Sequence, residues 1–177
     1  TGKGGGSTWV SYTISNTGIL TVDNGIIEHL GSTGDWGDDR PTDVPIHNYA
    51  GKVTINDGTI RSPQFRSLRD FTAGGEVTIN GGTFEGQIWM QGLGNGSSSL
   101  TITGGNFSPT AGYDGSSIYI TNSNNDIILN ISGGYFNTKI GCADVNKPGV
   151  KGKITGGIFT PTAKTNTNPA IIAEGYY

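Results

Sequence analysis

The amino-acid sequence predicts an all-β fold, specifically a parallel β-solenoid in which successive repeats of the chain stack on one another. Three observations predict it: glycine is abundant, the composition is poor in helix formers, and a short segment recurs along the chain. Glycine accounts for 31 of the 177 residues, well above the usual ~7%. Charged residues make up only 14%, which excludes a disordered charged tail, and the 7 prolines follow no triplet register, which excludes collagen.

The recurring segment is a short strand, a glycine corner and a large apolar residue. Five copies align directly, at 54–60, 78–84, 101–107, 130–136 and 153–159, and a weaker copy precedes them at 21–27. The second position of each copy is β-branched, and the six residues there are Val22, Ile55, Ile79, Ile102, Ile131 and Ile154. These anchors are separated by 33, 24, 23, 29 and 23 residues, which is one coil of a solenoid per copy.

Each column of the repeat has a predicted structural role. The anchor and the residue two positions before it are expected to face the interior, because residues two apart on a strand share a face. A glycine always stands three positions after the anchor, which predicts a positive φ or a lack of space for a Cβ: Gly25, Gly58, Gly82, Gly105, Gly134 and Gly157. The apolar residue five positions after the anchor is expected to stack into a ladder: Ile27, Ile60, Phe84, Phe107, Phe136 and Phe159.

The rest of each repeat supplies a second strand or a loop. Second strands are predicted at 87–90, 117–120, 138–142 and 170–173, giving about six coils in total. Trp9, Tyr12, Ile14 and Ile19 are expected to form an N-terminal β-arch that caps the first coil, because an open coil end exposes strand edges. The predicted domain organisation is a flexible glycine-rich lead at 1–7 and a single β-helix domain at 8–177, with insertion loops near 31–47 and 108–116.

Charge and hydropathy limit the classes of partner that the chain is expected to bind. The sequence pI is about 5.2 and no cluster of basic residues suits a nucleic-acid partner. No apolar run is long enough to insert into a membrane. The single Cys142 rules out an internal disulfide framework, and it is expected to be a buried thiol.

The repeat resembles a known family. The Ile-Thr-Gly-Gly-x-Phe pattern, seen at 102–107 and 154–159, together with the closing segment 159–176, is similar to repeats in right-handed parallel β-helix modules of large surface proteins of Gram-positive, often gut-dwelling, bacteria. The resemblance covers roughly residues 50–177 and implies a pectate-lyase-like fold. It also implies an extracellular, adhesive or carbohydrate-associated module that is part of a longer chain. Similar repeats occur in phage tail and fibre proteins, so a structural fibre segment is an alternative.

Exposed aromatic side chains are the candidate ligand-binding residues. Trp36 and Tyr113 lie in the two longest predicted loops, whereas Trp89 and Tyr119 alternate with apolar residues on second strands and are expected to face outward. Flat rings on a rigid sheet suit stacking against sugar rings, so a glycan or another host or surface ligand is the expected partner. The alternative is that these rings cover the core beneath folded loops.

The first long loop also contains a candidate calcium site. Asp35, Asp38, Asp39 and Asp43 supply the oxygen ligands that Ca²⁺ prefers, although they match no standard calcium motif. The alternative is a solvated loop in which the neighbouring Arg40 balances the acids. No other cofactor is expected.

The sequence favours a non-catalytic module over an enzyme. Polysaccharide lyases of similar fold use Ca²⁺ with an arginine or lysine base, and Arg61, Arg66, Arg69 and Asp70, with Asp57 nearby, are the residues that would supply such a site. Asp57 and Glu85 are the candidate carboxylate pair for glycoside hydrolysis, yet nothing in the sequence fixes their separation. His29 and His47 have no nucleophile partner in a recognisable motif. Six coils also leave little room for a catalytic groove.

Overall fold

The computed structural model describes residues 12–30, 44–62, 66–72, 74–93, 96–109, 116–121, 126–138, 140–142 and 150–160. This part of the chain forms eighteen strands, all paired in parallel within three six-stranded sheets. The prediction of an all-β protein with parallel sheets is confirmed. None of the described residues belongs to a helix capable of crossing a membrane.

Each sheet takes one strand from every repeat. Sheet A consists of β1 (Tyr12–Asn16), β4 (Val44–Asn48), β7 (Arg66–Thr72), β10 (Gln87–Leu93), β13 (Ile118–Ile120) and β16 (Ile140–Cys142). Sheet B consists of β2 (Ile19–Val22), β5 (Lys52–Ile55), β8 (Glu76–Ile79), β11 (Ser98–Ile102), β14 (Ile127–Ile131) and β17 (Val150–Ile154). Sheet C consists of β3 (Ile26–Glu28), β6 (Thr59–Arg61), β9 (Thr83–Phe84), β12 (Asn106–Phe107), β15 (Tyr135–Phe136) and β18 (Ile158–Phe159).

The anchor column forms the centre of sheet B and part of the core. Ile55 pairs with Ile79 and Ile102 pairs with Ile131 in parallel register, as the alignment predicts. All six anchors are buried, with exposures of 6% or less. Four of the residues two positions earlier, Val53, Val77, Leu100 and Leu129, are buried with them, and Leu20 is partly buried. The period-2 assignment of these strands is therefore confirmed.

The glycine corner between sheets B and C has two causes. The predicted glycine column adopts positive φ throughout, between 92° and 115°. The glycine that precedes it in four repeats lacks space instead: a Cβ on Gly133 would lie 2.1 Å from the carbonyl oxygen of Thr103 in the previous repeat. In the first two repeats Asn24 and Asp57 take this position, and each accepts a hydrogen bond from the next backbone N–H.

The predicted aromatic ladder is present in sheet C. Phe84, Phe107, Phe136 and Phe159 stack nearly parallel, with successive ring centroids 5.0, 4.6 and 4.8 Å apart. These distances match the ~4.8 Å spacing of neighbouring strands, so each ring belongs to one strand of the sheet. The ladder therefore provides side-chain contacts between consecutive repeats across sheet C.

Sheet A differs from the prediction in its first half. The second strands predicted at 87–90, 117–120 and 138–142 correspond to β10, β13 and β16, but β4 and β7 were not anticipated. Residues 44–47, assigned to the first insertion loop, belong to β4. The predicted cap is also different, because Tyr12 and Ile14 lie in β1, which pairs in register with β4 as an ordinary strand of the sheet. Trp9 and the strand predicted at 170–173 lie outside the described residues.

Candidate functional site

The outer face of sheet A carries a histidine, an arginine and two large aromatic side chains on neighbouring strands. Ile46, Leu68, Ile88, Ile118 and Ile140 form the inner column of this sheet and are fully buried. The next position on β4, β7, β10 and β13 faces outward, and the residues there are in register: His47, Arg69, Trp89 and Tyr119. Trp89 and Tyr119 therefore share one face on adjacent strands.

Trp89 makes most of its contacts within the chain. The guanidinium carbons of Arg66 and Arg69 lie 4.0 and 4.3 Å from the centroid of its ring. Its indole N–H donates to the hydroxyl of Thr121 at 2.7 Å. These cation–π and hydrogen-bond contacts hold the ring in place and leave it half-buried.

Tyr119 is less accessible than expected. It faces outward, yet only 9% of its surface is exposed. Trp89 on β10 is its in-register neighbour on this face. With so little exposed surface, Tyr119 offers little ring area to a ligand approaching from solvent.

A more accessible group of rings lies at the β1 end of sheet A, on β1, on β7 and on the residue that follows β4. Tyr12, His47, Tyr49 and Phe71, which we call the aromatic shelf, contact one another in a continuous group. The centroid of His47 lies 5.4 Å from Tyr12, 6.3 Å from Tyr49 and 5.6 Å from Phe71, and Tyr49 stacks on Phe71 at 5.8 Å. Tyr12 and Tyr49 are 45% and 48% exposed. The shelf presents open ring surface where the Trp89 region does not.

Positive charge adjoins the shelf. The guanidinium carbon of Arg69 lies 4.3 Å from the centroid of Phe71, and its Nη2 donates to Oε1 of Gln91 at 2.7 Å. Burial, with a further contribution from Arg66, lowers the pKa of Arg69 to about 10, so it stays charged at neutral pH. The nearest carboxylate on these strands, Asp70, faces the interior.

His47 is a neutral group at the centre of the shelf. Burial and the neighbouring charge of Arg69 lower its pKa from 6.5 to about 4. Its exposure is 8%, and no described group hydrogen-bonds to either of its ring nitrogens. The imidazole at neutral pH therefore carries one N–H donor and one nitrogen acceptor, both without a described partner.

The arginines that would supply a lyase-like site lie on two different sheets. Arg61 lies on β6 of sheet C, where its Nε donates to Glu28 at 2.6 Å. Arg66 and Arg69 lie on sheet A and contact Trp89. Asp70 is fully buried inside the protein. These four residues therefore do not converge on one surface.

Asp70 ends a ladder of buried polar side chains. The amide of Asn16 donates to Asn48, and the amide of Asn48 donates to Oδ1 of Asp70, both at 2.8 Å. The side chain of Ser98 also hydrogen-bonds to this carboxylate. Gly75 packs directly against it, since a Cβ there would lie 1.9 Å from Oδ1. Burial outweighs these hydrogen bonds and raises the pKa of Asp70 from 3.8 to about 6.

This raised pKa predicts a specific pH dependence. Between pH 4 and 6 the folded protein binds the Asp70 proton more tightly than the unfolded chain does, so the contribution of Asp70 to stability falls as pH rises through this window. The Asp70→Asn variant, which keeps a polar partner for Asn48, should match the wild type near pH 4. It should exceed the wild type at pH 7 by about 2–3 kcal/mol in the free energy of unfolding.

The measurement is chemical denaturation of both proteins from pH 4 to 7. His47 has the opposite effect in the same window, because its lowered pKa makes stability rise with pH. The difference between the variant and the wild type is therefore the informative quantity. Asp57→Asn, at an exposed carboxylate, controls for the loss of one negative charge. A difference that does not change with pH would contradict the burial argument.

The remaining candidate residues lie outside the described part of the chain. They are Trp36, Tyr113 and the acidic residues Asp35, Asp38, Asp39 and Asp43. Within the described residues, no three metal-ligating side chains are grouped closely enough to hold an ion. The calcium site thus stays a prediction from the sequence.

Comparison with known proteins adds no relative. No family model matches the chain, and neither a curated protein nor a solved structure shows significant similarity to it.

Proposed function

We propose that this chain is a non-catalytic module of an extracellular bacterial surface protein, and that it binds a glycan through the aromatic shelf. In this proposal the module is one part of a longer chain and displays the shelf on the face of a right-handed parallel β-helix. The alternatives that the sequence leaves open are a fibre segment that binds no ligand and a lyase-like enzyme.

The strand connectivity supports the β-helix. Successive strands visit sheets A, B and C in turn, and each pairs in parallel with the strand one repeat later. Parallel strands joined by a crossover connection are right-handed in about 98% of cases, which favours the right-handed form. The corner glycines and the phenylalanine ladder repeat with the same period.

The exposure of two tyrosines in the shelf is the observation that carries the binding proposal. Tyr12 and Tyr49 are close to half exposed, and both contact His47, whose strand is paired on both sides. Rigid aromatic rings that present open surface lose little conformational entropy when a ligand stacks on them. Sugar rings are the natural occupants, because they combine flat apolar faces with hydroxyls that the neighbouring polar groups can bind.

The Tyr49→Ala variant tests this function. Wild-type protein should bind at least one class of glycan on an array, and calorimetry should show that Tyr49→Ala weakens binding by about tenfold. Tyr135→Ala removes a tyrosine that is 39% exposed on sheet C and should bind like the wild type. Absence of binding to every glycan class, or an equal loss in both variants, would contradict the proposal.

A further inference from the structure

The outer face of sheet A carries positive charge without a carboxylate on the same strands. The arginine and acidic residues of its six strands are Arg66, Arg69 and Asp70, and the carboxylate of Asp70 is fully buried in the interior. The other two sheets differ, because Lys52 on sheet B and Arg61 on sheet C each pair with a carboxylate on a neighbouring strand. The charge on sheet A is therefore not balanced by the strands that carry it.

Arg69 has no acidic partner among the described residues. Its side-chain hydrogen bond goes to the neutral amide of Gln91, and its Nε, which is buried, has no described partner. Arg69 is only 6% exposed, and the like charge of Arg66 lies nearby, so both burial and Arg66 lower its pKa. A buried cation without an acid is unfavourable, and an anion bound at this face would compensate it.

We infer that the aromatic shelf selects anionic glycans, those that carry carboxylate or sulfate groups, and that Arg69 determines this selectivity. The inference rests on the proposed function and adds the chemical class of its ligand. Carboxylate and sulfate groups are substituents of a sugar ring. The ring can therefore stack on an exposed tyrosine while its charged group extends toward the arginine.

The charge of Arg69 is close enough to the exposed rings to act on a ligand without touching it. The centroid of Phe71 lies 4.3 Å from the guanidinium carbon of Arg69 and 5.8 Å from the centroid of Tyr49. The charge thus lies within about 10 Å of a ring that is 48% exposed, a distance similar to the Debye length in 0.1 M salt. Attraction at this distance needs no opening of the buried side chain, and salt screens partly buried charges less than exposed ones.

The electric field of Arg69 already acts on the centre of the shelf. His47 lies in register with Arg69 on the neighbouring strand. Burial, and then the charge of Arg69, lower the pKa of His47 to about 4. A field that disfavours a proton on His47 favours an anion on the rings around it.

Matched pairs of charged and uncharged glycans test the selectivity in the wild-type protein. The carboxylate pair is oligogalacturonides and their methyl esters, and the sulfate pair is sulfated galacto-oligosaccharides and their desulfated forms. Calorimetry should show tighter binding of the charged member in at least one pair by roughly fivefold, the effect expected of one charge pair about 10 Å apart. Raising NaCl from about 50 to about 500 mM should reduce this difference. The pair with the larger difference identifies the anionic group.

Three variants assign the selectivity to a residue. Arg69→Gln should lose the preference for the charged member and still bind the uncharged one, whereas Arg69→Lys, which keeps the charge, should retain the preference. Arg61→Gln removes a positive charge from sheet C and should also retain it, so it controls for the change in net charge. Thermal melting shows whether each variant is folded. If Arg69→Gln does not fold, Arg69→Lys and the salt dependence of the wild type still decide the outcome.

Several results would overturn this inference and leave the proposed function in place. Equal affinity for both members of each pair would do so, provided that Tyr49→Ala weakens binding of both. A preference that survives in Arg69→Gln would assign it to another group, and an equal loss of charged and uncharged ligands would show a structural role for Arg69. A further contrary result is a preference seen only after four acids of the first long loop are changed to Asn, because the chain's own carboxylates would then compensate the arginine: Asp35, Asp38, Asp39 and Asp43.

Discussion

The Phe107→Ala variant should be less stable than the wild type by about 3–5 kcal/mol in the free energy of unfolding. Phe107 is 1% exposed and stacks between Phe84 and Phe136, at centroid distances of 5.0 and 4.6 Å. Both neighbouring rings are themselves buried, so neither can move into the space without leaving its own strand register. The cavity would therefore persist, and the variant would lose both ring burial and two stacking contacts.

Thermal and denaturant unfolding would measure this effect. A loss of this size corresponds to a melting temperature lower by roughly 10 °C for a chain of this length. Phe159→Ala is the matched control, because Phe159 stacks on Phe136 but is only partly buried. Its substitution should reduce stability by less than half as much. Equal effects at both positions would mean that stacking within the ladder does not determine the stability.

The elements predicted correctly from the sequence are those with fixed spacing from an anchor. Gly105 and Phe107 stand at three and five positions after Ile102, and the same offsets hold in every other copy. The physical reason is local: one short turn links the strand of sheet B to the strand of sheet C, and in all six repeats the sheet C strand begins four positions after the sheet B strand ends. A pattern with constant offsets is visible in a single sequence.

Sheet A was only half predicted because its distance from the anchor changes along the chain. Ile14, Ile46 and Leu68 precede their anchors by 8, 9 and 11 residues, and Ile88 precedes its anchor by 14. The connection between sheets A and B varies in length, so an alignment on the anchors does not superpose these strands. An apolar residue followed two positions later by Asn or Asp, at 14–16, 46–48 and 68–70, was the available signal.

The sequence predicted the kind of residue that forms the candidate site, but not the position of that site in the fold. The sequence indicated outward aromatic rings on a second strand, and Trp89 and Tyr119 do share the outer face of sheet A. Their low accessibility depends on contacts between strands: two arginines from β7 lie over the ring of Trp89, and Tyr119 has Trp89 as its in-register neighbour. The aromatic shelf was missed because it needs the register of β1, β4 and β7, which were not predicted as strands of one sheet.

Gly133→Ala should destabilise the protein by about 3 kcal/mol, at the upper end of the usual effect of overpacking. The added Cβ would lie 2.1 Å from the carbonyl oxygen and 2.9 Å from the carbonyl carbon of Thr103. Those atoms belong to the backbone of the previous repeat, next to the hydrogen bond from the Ser132 N–H to the Ile102 carbonyl, so relief requires the two repeats to move apart. The general gain from replacing glycine with alanine, about 0.4–1 kcal/mol, offsets only part of this.

Gly18→Ala is the control that separates crowding from the general effect of the substitution. A Cβ on Gly18 would have no atom within 4 Å, and its φ is not positive. This variant should therefore be as stable as the wild type or slightly more stable, when both variants are unfolded in denaturant under the same conditions. If Gly133→Ala behaves like Gly18→Ala, the repeats are not in close contact at this corner, and the stacking that supports the β-helix proposal would have to be abandoned.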